Sequence, residues 1–209
     1  MSSPTPNRCW PATDPLYVAY HDEEWGRPVT DERGIYERLC LEGFQSGLSW
    51  LTILRKRENF RRSFRDFDPD RVASFRERDV ERLLGDAGIV RHRGKIEAAI
   101  ANARGVLALR KAGTPLNELV WSHAPVDYRV PQSTADWLAQ TPESKLLSKE
   151  LKAAGFKFVG PTIVYAFMQA VGMVNDHLVT CYRHAALAKL VLSSSPPRGR
   201  STAERSGGR

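Results

Sequence analysis

The stretch LLGDAGIVRHRGKIEAAI, residues 83–100, decides the fold class of this chain. It predicts two helices joined by a tight turn, the first over 79–86 and stopped by Gly88, the second over 93–112 and followed by Gly113. This arrangement is a helix-hairpin-helix. The first N–H groups of the second helix lack partners within that helix, so they suit a DNA phosphate.

Residues at this turn are candidate contacts to a DNA backbone: Gly88, Arg91, His92, Arg93, Gly94 and Lys95. Their side chains add positive charge that complements phosphate, but they offer no evident means of reading bases. The alternative is an ordinary helical corner with a solvated basic surface.

Helical periodicity dominates the rest of the sequence, and no alternating run is long enough to read as a sheet, which predicts an all-α fold. Caps and stop signals predict further helices over 31–45, from Gly47 towards Phe64, from Asp68, over 142–154, over 161–171, and from Asn175 or Asp176 onward, the last carrying His177 and Cys181. Residues 114–141 are predicted to form a looser connector anchored by Trp121, Tyr128 and Trp137.

Glu42 continues the apolar stripe that Ile35 and Leu39 form along the 31–45 helix. An unpaired charge aimed into a protein interior is costly, so this carboxylate needs a partner or a function. A buried salt bridge to an arginine is the commoner outcome. The alternative is recognition of a ligand.

Five aromatic residues are concentrated in the first fifty positions: Trp10, Tyr17, Tyr20, Trp25 and Trp50. Flat rings beside an inward carboxylate can hold a planar base whose edge donates hydrogen bonds to that carboxylate. Aromatic residues are also ordinary core residues, and the sequence does not separate the two roles.

Two pairs of potential metal ligands lie far apart in the chain, Cys9 and His21 near its start and His177 and Cys181 near its end. His177 and Cys181 are four residues apart, so on a helix they would point from one face. Two cysteines and two histidines fill the tetrahedral shell of Zn²⁺, which favours a structural over a catalytic metal. The alternative is four unrelated residues, because Cys9 and His21 lack the short spacing of a zinc finger.

Composition indicates a globular protein: 209 residues, 42% of them hydrophobic, with a net charge of +7. Three cysteines, no signal peptide and no apolar run of about 18 residues predict a reducing cytoplasm and no membrane span. Four arginines and one glutamate in 193–209 supply +3 of the charge. We predict one domain over 1–190 and a disordered basic tail over 191–209. Nucleic acid is the favoured partner.

Five segments together resemble the bacterial DNA-3-methyladenine glycosylase I family of the helix-hairpin-helix superfamily. They are RCW at 8–10, DPLYVAYHDEEWG at 14–26, LEGFQSGLSW at 41–50, DAGIVRHRGKI at 86–96 and GFKFVGPTIVYAFMQAVGMVNDH at 155–177. The resemblance implies a two-lobed all-α fold and hydrolysis of the N-glycosidic bond of 3-methyladenine in double-stranded alkylated DNA. It also implies free 3-methyladenine as product, a monomer in the bacterial cytoplasm, and one structural Zn²⁺ bound by Cys9, His21, His177 and Cys181.

The same resemblance assigns roles to the candidate residues. Glu42 is the carboxylate that recognises the base and serves as the catalytic residue, Tyr20 and Trp50 stack on the base, and Trp10, Tyr17 and Trp25 are further walls. Gln45, Gly47 and Leu48 form a loop that approaches the gap left by the flipped nucleotide, with Leu48 as an apolar wedge.

The resemblance implies a monofunctional enzyme. Many hairpin glycosylases carry a catalytic Asp near the end of the second hairpin helix, but no Asp or Glu lies between Glu97 and Glu118 here. Lys95 occupies the place of the Schiff-base lysine of bifunctional relatives, and we predict a phosphate contact for it instead. The sequence departs from the family at Phe44, which is expected to alter the rim of the pocket, and at Pro161.

Two other functions are compatible with parts of the sequence. One is a non-enzymatic, zinc-stapled hairpin module that binds DNA and whose aromatic residues are only core. The other is a zinc hydrolase, against which a metal with four protein ligands speaks, because it leaves no position for water.

Overall fold

A computed structural model describes residues 6–127 and 129–194. These residues form helices and no strand, which confirms the all-α prediction. The α-helices are α1 Pro15–Ala19, α2 Glu32–Gln45, α3 Trp50–Ser63, α4 Pro69–Ala73, α5 Glu77–Gly85, α6 Arg93–Lys111, α7 Leu116–Trp121, α8 Pro142–Ala153, α9 Pro161–Ala170 and α10 His184–Ser194. A π-helical turn, Tyr20–Glu24, continues α1.

Helix α2 lies at the centre of the molecule and contacts α3, α6, α7 and α9. It begins where predicted, because the side chain of Asp31 accepts a hydrogen bond from the backbone N–H of Gly34 at 2.7 Å. Its buried face includes Ile35 and Leu39, both fully inaccessible to solvent. Glu42, one turn further along the same face, therefore enters the interior of the protein.

The hairpin predicted at 83–100 is present as α5, a short turn and α6. Asp86 organises the turn: its Oδ1 accepts from the N–H of Gly88 at 2.8 Å, and its Oδ2 accepts from the hydroxyl of Ser63 at 2.5 Å. His92 is the N-cap of α6, because its Nδ1 accepts from the N–H of Lys95 at 3.2 Å. The turn is thus tied both to α3 and to the start of α6.

The predicted connector at 114–141 contains a helix that the sequence analysis missed. Helix α7 buries Leu116, Leu119 and Val120, whose spacing of three and four residues was the available signal. The anchoring roles of Trp121 and Trp137 are confirmed, since their indole N–H groups donate to the carbonyls of Val29 and Asp176 at 3.0 and 2.9 Å.

The prediction that His177 and Cys181 share a helix is wrong. Residues 171–183 form a series of turns, and α10 starts only at His184. Gly172, with φ of +72°, turns the chain after α9, and the side chain of Asn175 accepts from the N–H of His177 at 3.3 Å. This local bond fixes a turn where a helix start was expected.

Helix α10 ends at Ser194, four residues into the segment predicted to be a tail. The rest of that segment, like Tyr128, lies outside the described residues. The buried apolar side chains form one contiguous core, and the division into two lobes stays a prediction. Among the described helices, none is long and apolar enough to cross a membrane.

Candidate active site and metal centre

A cavity of about 270 Å³ opens at the inward face of α2, close to the lower end of the range for small-molecule sites. The residues that line it are Trp10, Tyr17, Tyr20, Trp25, Glu42, Gln45, Trp50, Trp137, Ala166 and Gln169. All six residues predicted to form the base pocket are in this list. Sequence reasoning missed Trp137 in the connector and Ala166 and Gln169 on α9, although α9 lies in a segment that matches the family.

Glu42 has no hydrogen-bond or ion-pair partner within the described parts of the chain, although only 5% of its surface is exposed. Arg38, one turn earlier on α2, donates instead to Glu24 at 2.8 Å, and Arg57 binds the same carboxylate at 2.6 and 2.9 Å. The buried salt bridge considered from the sequence is therefore absent. Burial raises the pKa of Glu42 to about 8, and the positive charge of Arg38 opposes this rise.

Tyr20 lies in the π-helical turn, and its hydroxyl also lacks a partner among the described residues. Complete burial, together with the charge of Glu42, raises the pKa of this phenol well above its ordinary value, so the hydroxyl keeps its proton. The cavity is thus lined by a hydrogen-bond donor, Tyr20, and an acceptor, Glu42, that have no partner among the described residues, and the buried indole N–H groups of Trp10 and Trp50 also lack one.

The aromatic rings form walls that are in contact with one another. The rings of Tyr20 and Trp50 are 5.3 Å apart at 52°, and those of Trp10 and Tyr17 are 5.3 Å apart at 33°. A base held between two rings needs about twice the ~3.5 Å contact distance. A base therefore cannot enter between Tyr20 and Trp50 as they stand, and the two rings form one composite wall on which it can stack.

Four potential ligands converge beside this pocket, as predicted: Cys9, His21, His177 and Cys181, all buried. Their nearest donor atoms lie within 4.8 Å of one another. The sulfur of Cys9 is 3.4 Å from Nδ1 of His177, which is 3.4 Å from the sulfur of Cys181, and that sulfur is 3.6 Å from Nε2 of His21. Tetrahedral zinc, with Zn–S near 2.3 Å and Zn–N near 2.0 Å, requires S···N separations of roughly 3.5 Å.

Neighbouring groups orient both imidazoles so that one nitrogen of each faces the cluster. Asp22 binds Nδ1 of His21 at 2.8 Å and is itself held by Arg8 at 2.7 Å. The carbonyl of Trp25 accepts from Nε2 of His177 at 3.1 Å, which leaves Nδ1 free of its proton. Such outer partners are typical of metal-binding histidines. The residues present therefore fit a closed Cys₂His₂ site.

The cluster also supports two walls of the cavity. The ring of Trp10 meets the ring of His21 edge-on, with centroids 4.7 Å apart, and Trp25 lies 4.5 Å from the ring of His177. Two pocket walls thus pack directly on two potential ligands. The N-terminal segment is joined to the turns at 171–183 by further bonds, including that from the amide of Asn7 to the carbonyl of Thr180 at 2.9 Å.

The loop between α2 and α3 runs beside the hairpin. Gly47, with φ of +79°, allows the turn, and Leu48 projects from it with 43% of its surface exposed. Gln45 lines the cavity immediately before this loop. The loop therefore carries an exposed apolar side chain three residues after a residue that lines the cavity, and its role as a wedge stays a prediction.

Lys95 does not have the surroundings predicted for a phosphate contact. It is buried, and its ammonium donates to the carbonyl of Phe44 at 2.9 Å and to the carbonyl of Ser46. These carbonyls end α2, so Lys95 closes the C-terminus of that helix and attaches the loop to the hairpin. Two of the three N–H donors of this ammonium are therefore already engaged within the protein.

The remaining hairpin residues differ in how available they are. Arg93 forms ion pairs with Glu77, Glu81 and Glu97, so its charge is partly compensated within the protein, and its contact with DNA stays a prediction. Arg91 is exposed and has no ion pair with a described residue. The backbone N–H groups of Arg93 and Gly94 lack acceptors in the described structure, whereas that of Lys95 is bound by His92. Gly88 is held by Asn59, whose amide donates to its carbonyl at 3.2 Å.

Phe44 was expected to alter the rim of the cavity, but it does not line the cavity. Only 1% of its surface is exposed, and its ring packs on Phe60 and Phe64 with centroids 4.5 and 5.7 Å away. It is a core residue on the side of α2 that packs against α3. Pro161 occupies the first turn of α9, where its missing N–H costs nothing.

A family model described as methyladenine glycosylase matches residues 10–184. The chain belongs to this family. It is 55% identical over 177 residues to DNA-3-methyladenine glycosylase 1 of Escherichia coli K12, a match that covers 83% of this chain and 95% of the relative. DNA-3-methyladenine glycosylase of Haemophilus influenzae is 43% identical over 178 residues, covering 83% and 96%.

A crystal structure of a 3-methyladenine DNA glycosylase I superimposes with a TM-score of 0.83 at 52% identity, covering 85% of this chain and all of the other. The match to the methyladenine glycosylase family includes every residue that lines the cavity and three of the four clustered ligands. Cys9 falls one position before it. The whole pocket and all of the cluster except Cys9 therefore belong to the part of the chain that matches the family.

Proposed function

We propose that this methyladenine glycosylase hydrolyses the N-glycosidic bond of 3-methyladenine in double-stranded alkylated DNA, releasing the free base and leaving an abasic site. Family membership supports this activity, as do the activities for which the relatives are named. The proposal follows the prediction from the sequence.

The single observation that carries the proposal is the state of Glu42: a buried carboxyl without a partner, facing a cavity walled by aromatic rings. Such a group is costly unless a ligand completes it. Methylation at N3 makes adenine a cation with an amino group, so it offers both positive charge and N–H donors to a carboxylate. Normal adenine shares the amino group but not the charge.

In this account the pocket binds the flipped base on its rings and at its edge. The composite wall of Tyr20 and Trp50 stacks on one face of the base, while Trp10, Tyr17 and Trp25 surround it, and the hydroxyl of Tyr20 is available to donate to a ring nitrogen. Binding the cation favours ionisation of Glu42, whose pKa is about 8 in the empty pocket. Charge complementarity is thus strongest for the damaged base.

The chemistry requires little from the protein. A cationic base is already a good leaving group, so extrusion and retention of the base are the main tasks. The C1′–N9 bond breaks with its electron pair moving to the cationic base, which leaves as a neutral molecule. Water adds its hydroxide to C1′, and its remaining proton is released to solvent. No Asp or Glu between Glu97 and Glu118 offers an alternative base, and Glu42 is the carboxyl we assign to the site.

DNA is held by the hairpin and the adjacent loop. The free N–H groups of Arg93 and Gly94 and the side chain of Arg91 bind backbone phosphate, with Gly88 and His92 shaping the turn. Leu48 enters the gap left by the base, supported by Gln45 and Gly47. Lys95 acts indirectly by fixing this loop to the hairpin.

We propose one structural Zn²⁺ bound by Cys9, His21, His177 and Cys181. When bound, it supplies a covalent-like tie between the N-terminal segment and the turns at 171–183. The S···N distances and the orientation of both imidazoles support this assignment. We further propose that the protein acts as a monomer in the bacterial cytoplasm, where its DNA substrate lies, since one chain builds the whole pocket.

The experiment that tests the proposed reaction follows strand integrity in alkylated DNA incubated with the protein. Abasic sites should accumulate, with strand breaks only after hot alkali, and borohydride should trap no protein–DNA adduct. If the protein binds the alkylated DNA but no abasic sites form, the result would favour the alternative, a non-enzymatic hairpin module. A trapped adduct would show a lyase mechanism and contradict the monofunctional assignment.

A further inference from the structure

Gln169 lies on α9 and forms part of the cavity wall. It is far along the chain from the residues predicted to form the pocket, all of which lie within the first fifty positions. Hydrogen bonding fixes the orientation of its side-chain amide. The amide nitrogen Nε2 donates to Oδ2 of Asp176 at 2.6 Å. A carboxylate only accepts hydrogen bonds, so the NH₂ group must be the end that faces Asp176.

Asp176 is itself held in place. The hydroxyl of Tyr165 donates to the same oxygen at 2.8 Å, and 5% of the residue's surface is exposed. The backbone carbonyl of Asp176 accepts from the indole of Trp137, another residue that lines the cavity. Three elements, α9, the connector and the turns at 171–183, thus fix the group that orients Gln169.

The consequence lies at the other end of the amide. With Nε2 engaged, the carbonyl oxygen Oε1 has no partner in the part of the chain that the structure describes. Were the amide reversed, the cavity would instead be offered an NH₂ donor. Asp176 therefore determines that Gln169 offers the cavity a neutral acceptor.

We propose that Oε1 of Gln169 is a second hydrogen-bond acceptor for the bound base and selects, together with Glu42, bases whose edge carries an amino group. This inference rests on the proposed function, because it takes the cavity to be the base pocket. An amino group has two N–H donors, which two acceptors can satisfy. A base with a carbonyl oxygen at that position would place lone pairs against lone pairs, and sites built for one hydrogen-bonding pattern reject the other strongly.

The roles of the two side chains differ. Gln169 contacts the base and is a specificity residue, whereas Asp176 acts through Gln169 and is a positioning residue. Unlike Glu42, Gln169 is neutral at every pH, so its contribution distinguishes amino from carbonyl edges but not cationic from neutral bases.

The test compares wild type with Gln169→Met, which keeps the length of the side chain and removes the acceptor. Release of 3-methyladenine and of 3-methylguanine from methylated DNA is measured for both proteins. The variant should lose roughly five- to tenfold of its preference for 3-methyladenine, the factor that one neutral hydrogen bond represents. Gln140→Met, the same change at an exposed site outside the cavity, should behave as wild type.

Unchanged preference in a folded Gln169→Met protein, as judged by its unfolding midpoint, would overturn the inference. If the variant does not fold, wild type alone decides: it should bind free 3-methyladenine at least about tenfold more tightly than 3-methylhypoxanthine, which carries oxygen in place of the amino group. Equal binding would overturn the inference. Failure of wild type to release 3-methyladenine would instead refute the proposed function.

Discussion

At the scale of single residues, the direction of Glu42 was predictable and its isolation was not. The stripe formed with Ile35 and Leu39 places the carboxyl inside, and the structure confirms this. Whether an arginine neutralises it depends on how Arg38 is engaged. That side chain binds Glu24, which lies fourteen residues earlier in the chain, and a contact of this kind cannot be read from helical spacing.

The raised pKa of Glu42 predicts how Glu42→Gln changes stability with pH. An unfolded chain loses the carboxyl proton near pH 4.5, whereas the folded protein keeps it to about 8. Between these values the folded state binds more protons, so the free energy of unfolding of wild type falls as pH rises. Glu42→Gln removes this loss. Denaturant unfolding should show the variant gaining on wild type by a few kcal/mol from about pH 5 to about pH 8.

A constant difference between the two proteins across this range would show that Glu42 ionises normally and is not isolated.

Glu42→Gln should also weaken binding of the free base. Free 3-methyladenine should quench the tryptophan fluorescence of wild type, and titration should show that the variant binds it more than about tenfold more weakly, because a charge-assisted hydrogen bond is lost.

At the scale of elements, long periodic helices were predictable and short or irregular ones were not. Helices α2, α6, α8 and α9 have caps visible in the sequence and begin within a residue of the predicted positions. The six residues of α7 follow Pro115 in a polar region, which hid their periodicity. The π-helical turn and the turns at 171–183 depend on tertiary contacts, so no local pattern indicates them.

Lys95 predicts a coupling between two elements. Lys95→Met keeps much of the side-chain volume but releases the carbonyls of Phe44 and Ser46, so the loop that carries Leu48 should lose its fixed position. We expect excision from DNA to fall roughly tenfold or more, while binding of the free base stays close to wild type, because the pocket is intact. Lys152→Met, at an exposed position, is the control. Equal losses in both assays would show that Lys95 acts on the pocket instead.

Gly172 predicts how tightly the turns at 171–183 are constrained. Its φ is +72°, and a Cβ atom would lie 2.5 Å from the backbone of Arg27. Gly172→Ala should therefore destabilise the protein by roughly 2–6 kcal/mol. Gly113→Ala is the matched control, because its φ is +80° but nothing lies within 4 Å of the added atom, and it should cost about 1–2 kcal/mol. Thermal unfolding of both variants checks the difference, and equal shifts would contradict it.

At the scale of the whole molecule, the four clustered Cys and His side chains bring together residues near the two ends of the described chain. Cys181→Ala should abolish binding of one zinc per chain and lower the unfolding midpoint, because metal binding is coupled to folding. Cys40→Ala is the matched control: Cys40 is equally buried but lies outside the cluster, so its loss should leave zinc content unchanged. Metal analysis after dialysis measures this directly. Full zinc content in Cys181→Ala would contradict the proposed ligand set.

Residue type suggested, and the family resemblance strengthened, the prediction that four side chains converge: Cys9, His21, His177 and Cys181. The helix expected to align His177 with Cys181 is, however, not present. His177 and Cys181 meet because the chain turns, not because a helix aligns them. The resulting cluster packs against Trp10 and Trp25, so the group proposed to bind zinc also supports two walls of the cavity.

The pocket, the isolated carboxyl and the hairpin together support excision of 3-methyladenine by this protein. The most direct test of this activity is chromatography of the bases released from methylated double-stranded DNA by wild type and by Glu42→Gln. Wild type should release 3-methyladenine and leave normal adenine in place, and the variant should release the methylated base far more slowly. A wild-type product profile without 3-methyladenine would contradict the proposed activity.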